Sequence, residues 1–168
     1  MQVSIAKRMD GLGVLRCRRD DGSETWQRQS ERHAVYYTYH DLTHFAVETT
    51  LGFTRGFYGL IASGWEIEET TGKGSRGKLP MEAGHVEMIV GLFDRERASG
   101  VEWSAADFNE FARLHCESRG GEAPRELTED QLRAVRQRRG ELFRQWEAVA
   151  PGEELQLTFE CQHSNAAG

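Results

Sequence analysis

The hydrophobic pattern of this chain changes period twice, and that change limits its fold more than any other feature. Near the N-terminus Gln2 to Ala6 alternates apolar and polar residues. At the other end Leu155, Leu157 and Phe159 alternate with Gln156, Thr158 and Glu160. Alternation turns one face of a strand to a core and the other to water. Between these ends the period becomes helical: Val86, Ile89, Val90 and Phe93 fall at i, i+3, i+4 and i+7. Gly13 to Arg19 and Glu24 to Gln29 flank Asp20-Asp21-Gly22-Ser23, a hairpin signal because glycine accepts the positive φ that a tight turn needs. Strands at both ends and helices between predict an α+β fold. Its small antiparallel sheet, the N-terminal hairpin plus the C-terminal strand, would be covered on one face by about four to five helices.

Local signals place the helices. Val35, Tyr37 and Tyr39 alternate, which predicts extended chain up to the first helix. Thr38-x-x-Asp41 has capping-box spacing, so that helix is expected near Thr38 and ends at Leu51, with Gly52 as left-handed cap. A second helix spans about Arg55 to Ser63, with Gly64 as its stop. Thr70 to Lys78 holds three glycines, two lysines and an arginine and reads as a mobile loop. Pro80 suits the first turn of the third helix. Ser104 caps a fourth, carrying Phe108, Phe111, Ala112 and Leu114. Thr128-x-x-Gln131 opens a fifth, carrying Leu132, Val135, Leu142, Phe143 and Trp146, and Pro151-Gly152 stops it.

Composition narrows the function classes. The 168 residues fit a single domain, 1–168, and 38% apolar with 29% charged is a globular balance. A net charge of −6 gives no basic face for a phosphate backbone, so no nucleic-acid partner is expected. The three cysteines form no C-x-x-C pair and suit a reducing compartment. Met1 to Asp10 lacks a signal-peptide core, and no stretch reaches the ~20 apolar residues of a membrane span. The expectation is a cytoplasmic protein, bacterial in style, with no membrane partner. Its partners would be a small molecule, another protein, or a second copy of the chain in a homodimer.

Chemistry concentrates in His40-Asp41-Leu42-Thr43-His44-Phe45-Ala46-Val47-Glu48. At about 100° per residue His40, His44 and Glu48 fall along one side of a helix. Val47 and Leu51 lie close to the histidines, while Leu42 and Ala46 lie opposite. Apolar residues on both sides predict a helix wrapped by other elements, with the histidines partly enclosed. Enclosed polar groups need partners, and a metal ion is one. Two histidines at i and i+4 can share an ion, although Asp41 after the first excludes the H-E-x-x-H protease motif. His40 and Glu48 are separated by about 12 Å along the axis, too far to share it easily. The expected ligands are therefore His40 and His44 with a third from His85 or Glu87, for zinc or another divalent transition metal. Glu48 or Asp41 would orient an imidazole or act as general base on bound water. A position in the first turn would keep His40 neutral and able to ligate. This reading gives a metal-dependent hydrolase or lyase acting on a small molecule. The alternative is a non-enzymatic binding or interaction domain. There His40, Asp41, His44 and Glu48 form a structural hydrogen-bond network, with Asp41 a cap residue and His44–Glu48 an i,i+4 pair.

Other motifs carry less. Gly72-Lys73-Gly74-Ser75-Arg76-Gly77-Lys78 lacks the G-x-x-x-x-G-K-[ST] order of a phosphate loop. The glycines of Gly56-Phe57-Tyr58-Gly59-Leu60 permit close helix approach. Arg133, Arg136, Arg138 and Arg139 read as a solvated helix face, and no nucleophile elbow supports a Ser-His-Asp set.

The segments His40-Asp41-Leu42-x-His44-Phe45-Ala46-Val47-Glu48, Gly56-Phe57-x-Gly59-Leu60-x-Ala62-x-Gly64 and Pro151-Gly152-Glu153-x-Leu155 resemble a family of uncharacterised bacterial proteins. In that family a hairpin precedes an H-D-L-x-H-x-x-x-E helix and a C-terminal strand closes the chain. His40-Asp41-x-x-His44 is also similar to part of the zinc motif of a ubiquinone-biosynthesis family. That family places an acid twelve residues after the second histidine, where this chain has Gly56.

Overall fold

Four strands carry out the terminal alternation in a computed structural model that describes residues 1–28, 34–72 and 76–160. They are β1 (Gln2–Lys7), β2 (Gly13–Arg18), β3 (Glu24–Arg28) and β4 (Glu154–Thr158). They form one antiparallel sheet in the order β3-β2-β1-β4. Register follows the apolar residues. Ile5 stands opposite Leu15 on one side and Leu155 on the other, and Val3 opposite Cys17 and Leu157. All six are buried, while Arg16 and Gln156 on the other face are exposed. The hairpin turn uses Gly22 at φ +84°. The Met1 amino group donates to the Phe159 carbonyl at 3.0 Å and ties the start of β1 to the residue after β4. Gln29, the end of the expected second hairpin strand, and Lys73 to Ser75, the middle of the expected loop, lie outside the described residues.

The first helix, α1 (Ala34–Leu51), corrects two expectations. Tyr37 and Tyr39 are helical rather than extended, so Thr38 and Asp41 sit inside the helix and form no N-terminal box. Packing overrides the strand preference of this aromatic run. Tyr39 meets Phe143 at 4.7 Å, and Thr38 is buried. His40 consequently occupies the second turn, beyond the strongest reach of the helix dipole. Gly52 at φ +69° ends α1 as expected.

The remaining helices follow their signals with smaller changes. α2 (Phe57–Ala62) is shorter than its expected span, and a 3-10 helix (Ile67–Thr71) occupies the start of the expected loop. α3 (Met81–Ser99) follows Pro80 and buries Val86, Ile89, Val90 and Phe93. α4 (Ala105–Glu117) is capped by Ser104, whose hydroxyl accepts from the Asp107 amide. Only Phe108 and Ala112 of its expected stripe are buried; Phe111 and Leu114 are 42% and 49% exposed, because α4 presents one narrow edge to α3. α5 (Glu129–Ala148) opens with the complete Thr128–Gln131 capping box.

Helix α1 lies between two apolar clusters. Leu42, Phe45 and Ala46 pack towards the sheet with Ile5, Leu15 and Trp146. Val47 and Leu51 pack towards α3, α4 and α5 with Val90, Phe93, Phe108 and Leu132. This wrapping encloses the polar stripe of α1. Among the described residues no helix is long and apolar enough to cross a membrane.

Candidate metal centre

His40, His44 and Glu48 fall one per turn along α1, the two histidines meeting α3 and Glu48 meeting the start of α2. Helix α3 answers with Glu87 and Asp94, seven residues apart and so on nearly one line. His40 Nδ1 lies 2.7 Å from Asp94 Oδ2, and His44 Nδ1 lies 3.3 Å from Glu48 Oε1. An ionised carboxylate only accepts, so each Nδ1–H donates. That leaves both Nε2 atoms facing Glu87. His40 Nε2 stands 3.7 Å from Glu87 Oε1, and His44 Nε2 stands 3.1 Å from Glu87 Oε2. The donor atoms of His40, His44 and Glu87 all lie within 4.8 Å of one another. Ligands at ~2.0–2.1 Å from a tetrahedral zinc stand roughly 3.4 Å apart. The Glu87 side chain is 63% exposed and can adjust to that spacing.

The surrounding groups hold the imidazoles still. The Glu48 side chain is fully buried, and its oxygens accept from the Tyr58 amide at 3.2 Å and the Gly59 amide at 3.1 Å. It therefore ties the start of α2 to His44. The glycines of α2 explain the close approach: a Cβ at Gly56 would come within 2.5 Å of the Glu48 carboxyl carbon, and one at Gly59 would strike the Thr54 carbonyl. Tyr36 stacks on His40 at 5.4 Å and donates its hydroxyl to Asp94 Oδ2 at 3.2 Å. Burial and the Asp94 charge push that phenol up to about 12, so it stays a donor.

Burial opposes a charge on His44, but hydrogen bonds and charges from Glu48 and Glu87 outweigh it and raise its pKa to about 10. Glu87 is held at about 2 mainly by its hydrogen bond to His44, against the opposing effect of burial. Without an ion the raised pKa favours the imidazolium form of His44. A metal must displace its Nε2 proton, and binding would release it.

The other expected site residues divide. His85 does not join the cluster; its Nε2 meets the Glu122 carbonyl at 3.0 Å. Two residues from Glu87, it points about 200° away around α3. Asp41 lines a cavity of about 510 Å³ that opens beside His40, His44 and Glu87. Glu48 is walled off with both oxygens engaged, which suits a positioning role rather than a general base. Sequence reasoning missed Asp94, and read Tyr36 with Tyr37 and Tyr39 as aromatics that could stack a ligand but more often serve sheet packing. The available signal for Asp94 was an acid seven residues after Glu87, immediately following the buried Phe93.

No family model matches this chain, and comparison with curated proteins and with solved structures returns no match.

Proposed function

We propose that this protein binds a divalent transition metal, zinc foremost, through His40 Nε2, His44 Nε2 and Glu87, and acts as a metal-dependent hydrolase or lyase on a small molecule. One observation carries the reading: both imidazoles turn Nδ1 to a carboxylate and Nε2 to the same third carboxylate. Metal-binding histidines have this outer arrangement, which fixes the tautomer and increases ligand basicity. Two nitrogens and one carboxylate also match three-ligand zinc sites that keep a position open. A metal there would supply Lewis acidity and a water of lowered pKa. Asp94 and Glu48 hold the rings, Tyr36 holds Asp94, and Asp41, which lines the cavity, is the candidate general base.

The test is zinc titration by calorimetry and metal analysis of protein purified without a His-tag. The expected result is near-stoichiometric metal, lost in His44→Ala and weakened at least ~100-fold in Glu87→Ala. Less than about a tenth of an ion per chain, with zinc binding no tighter than roughly millimolar, would overturn the reading.

The 3.1 Å His44–Glu87 contact favours a second reading. An imidazolium clamped between Glu48 and Glu87 is a complete structural network without a metal. Under that reading His44→Ala costs stability and zinc changes nothing.

A further inference from the structure

The cavity beside the three donors has features that select a ligand. Its volume, about 510 Å³, lies within the range of small-molecule sites. One wall carries His40, His44 and Glu87. The apolar wall is formed by Phe57, whose ring lies 5.3 Å from that of His44, with Leu60, Ile67 and Leu79, and the further polar lining comes from Gln27, Tyr37, Asp41, Thr70 and Thr71. Small residues on α3 leave the space open. Ala83 and Gly84 stand one turn before Glu87 on the same side of the helix and also line the cavity. A Cβ at Gly84 would meet nothing within 4 Å.

We infer that the cavity takes a small molecule with an apolar body and an oxygen-donor head, the head directed to the metal and the body lying on Phe57, Leu60 and Leu79. The inference rests on the metal reading and adds the substrate class. A strongly hydrated ligand such as a sugar would leave its hydroxyls unpaired on these four apolar side chains. An acyl or aryl compound with a carbonyl or hydroxamate head satisfies both walls. Gly84 then acts as a specificity position, since a large side chain there occupies the volume of the body without touching a ligand atom of the metal.

The test uses two hydroxamates on zinc-loaded protein, followed by calorimetry. Benzohydroxamate is expected to bind at least ~10-fold tighter than acetohydroxamate, because only the former fills the apolar wall. In Gly84→Leu that advantage disappears, while acetohydroxamate and zinc affinities stay as in the parent. Equal binding of the two hydroxamates, or an advantage unchanged in Gly84→Leu, overturns the inference and leaves the metal reading intact. If the protein takes up no zinc, the metal-free chain is titrated with benzamide and followed by amide NMR shifts. Shifts at Phe57, Leu60 and Gly84 that vanish in Gly84→Leu would then retain the apolar-body assignment while the metal reading falls. Absence of those shifts in zinc-free protein overturns both.

Discussion

The two sides of α1 are chemically opposite. On the sheet side Leu42, Phe45 and Ala46 meet other apolar side chains, and the Cys17 thiol there is pushed up to about 12, chiefly by burial. On the α3 side the contact changes character along its length. Val47 and Leu51 continue the apolar packing, but His40 and His44 precede them and face Asp94 and Glu87. A packed core needs no partner of defined chemistry, whereas buried ionisable groups must be held in a fixed arrangement. Fixed arrangement is what a ligand site requires, and this is why the polar end of the α1–α3 contact is the site proposed above.

The largest expected effect tests whether both sides stabilise the fold to a similar extent. Phe45→Ala should cost about 3–5 kcal/mol through cavity formation. Glu48→Ala should cost a similar ~3–5 kcal/mol, because it strands a buried imidazolium and removes the acceptor of two α2 amides. Urea denaturation of both variants measures this. The two should separate in the zinc titration, where Phe45→Ala retains affinity and Glu48→Ala loses it. A Glu48→Ala protein as stable as the parent would show that the carboxylate is not what anchors α2.

Next in size is an effect larger on binding than on stability. Glu87 pairs with His44 but its side chain is 63% exposed, so Glu87→Gln should lower the urea midpoint less than Glu48→Ala does and weaken zinc by roughly 100-fold. A large stability loss with unaltered zinc behaviour would favour the structural network. The pH dependence sharpens the same contrast. His44 has a folded-state pKa raised from 6.5 to about 10. Its pairing therefore stabilises the metal-free fold fully below pH 6.5, and that stabilisation is lost as the pH rises through about 10. Thermal melts of metal-free protein should fall across this window, and His44→Ala should flatten the fall. Zinc affinity should run the other way and strengthen with rising pH as the competing proton leaves.

How much of this was legible depended on whether a residue's neighbours lie on its own helix. Val86, Ile89, Val90 and Phe93, the Thr128–Gln131 box and the Gly22 turn are local patterns, and they appear in the structure where the sequence puts them. The pairing of His40 with His44 is likewise local, their ring centroids 4.8 Å apart. The start of α1 was not legible, because Tyr39 becomes helical through a contact with Phe143 more than a hundred residues away. Nor was the choice between His85 and Glu87. Both flank the same apolar stripe, and the roll of α3 against α1 decides which one faces the histidines. Phe111 and Leu114 were misread for the same reason: periodicity gives the apolar stripe of α4 but not the width that a neighbour covers.

A smaller effect concerns orientation of a ligand. Asp94→Asn keeps the shape of the side chain and removes the charge that receives the His40 Nδ1 proton. Zinc affinity should fall about 10–100-fold, with the fold intact, since the amide no longer fixes the His40 tautomer. Calorimetry beside a urea melt separates this from general damage, and an unchanged affinity would remove Asp94 from the site.

The smallest effect returns to the open space on the polar side of the α1–α3 contact. Gly84 lies within α3 and has no left-handed backbone that would require glycine. A Cβ there meets no neighbour, and the same holds for Gly91 on the same helix. A glycine inside a helix costs about 0.5–1 kcal/mol relative to alanine, so each Gly→Ala change should stabilise the protein by that amount. For a chain of this size the gain corresponds to a rise of roughly 1–4 °C in melting temperature. Against that helix preference, Gly91 away from the cavity has no ligand to explain it, whereas Gly84 lines the cavity. Gly84→Ala and Gly91→Ala should therefore be equally stabilising, and only the former should weaken benzohydroxamate. Equal ligand affinity in the two variants would mean that a methyl group at Gly84 is too small to reach the ligand's body, and Gly84→Leu would then have to carry the distinction.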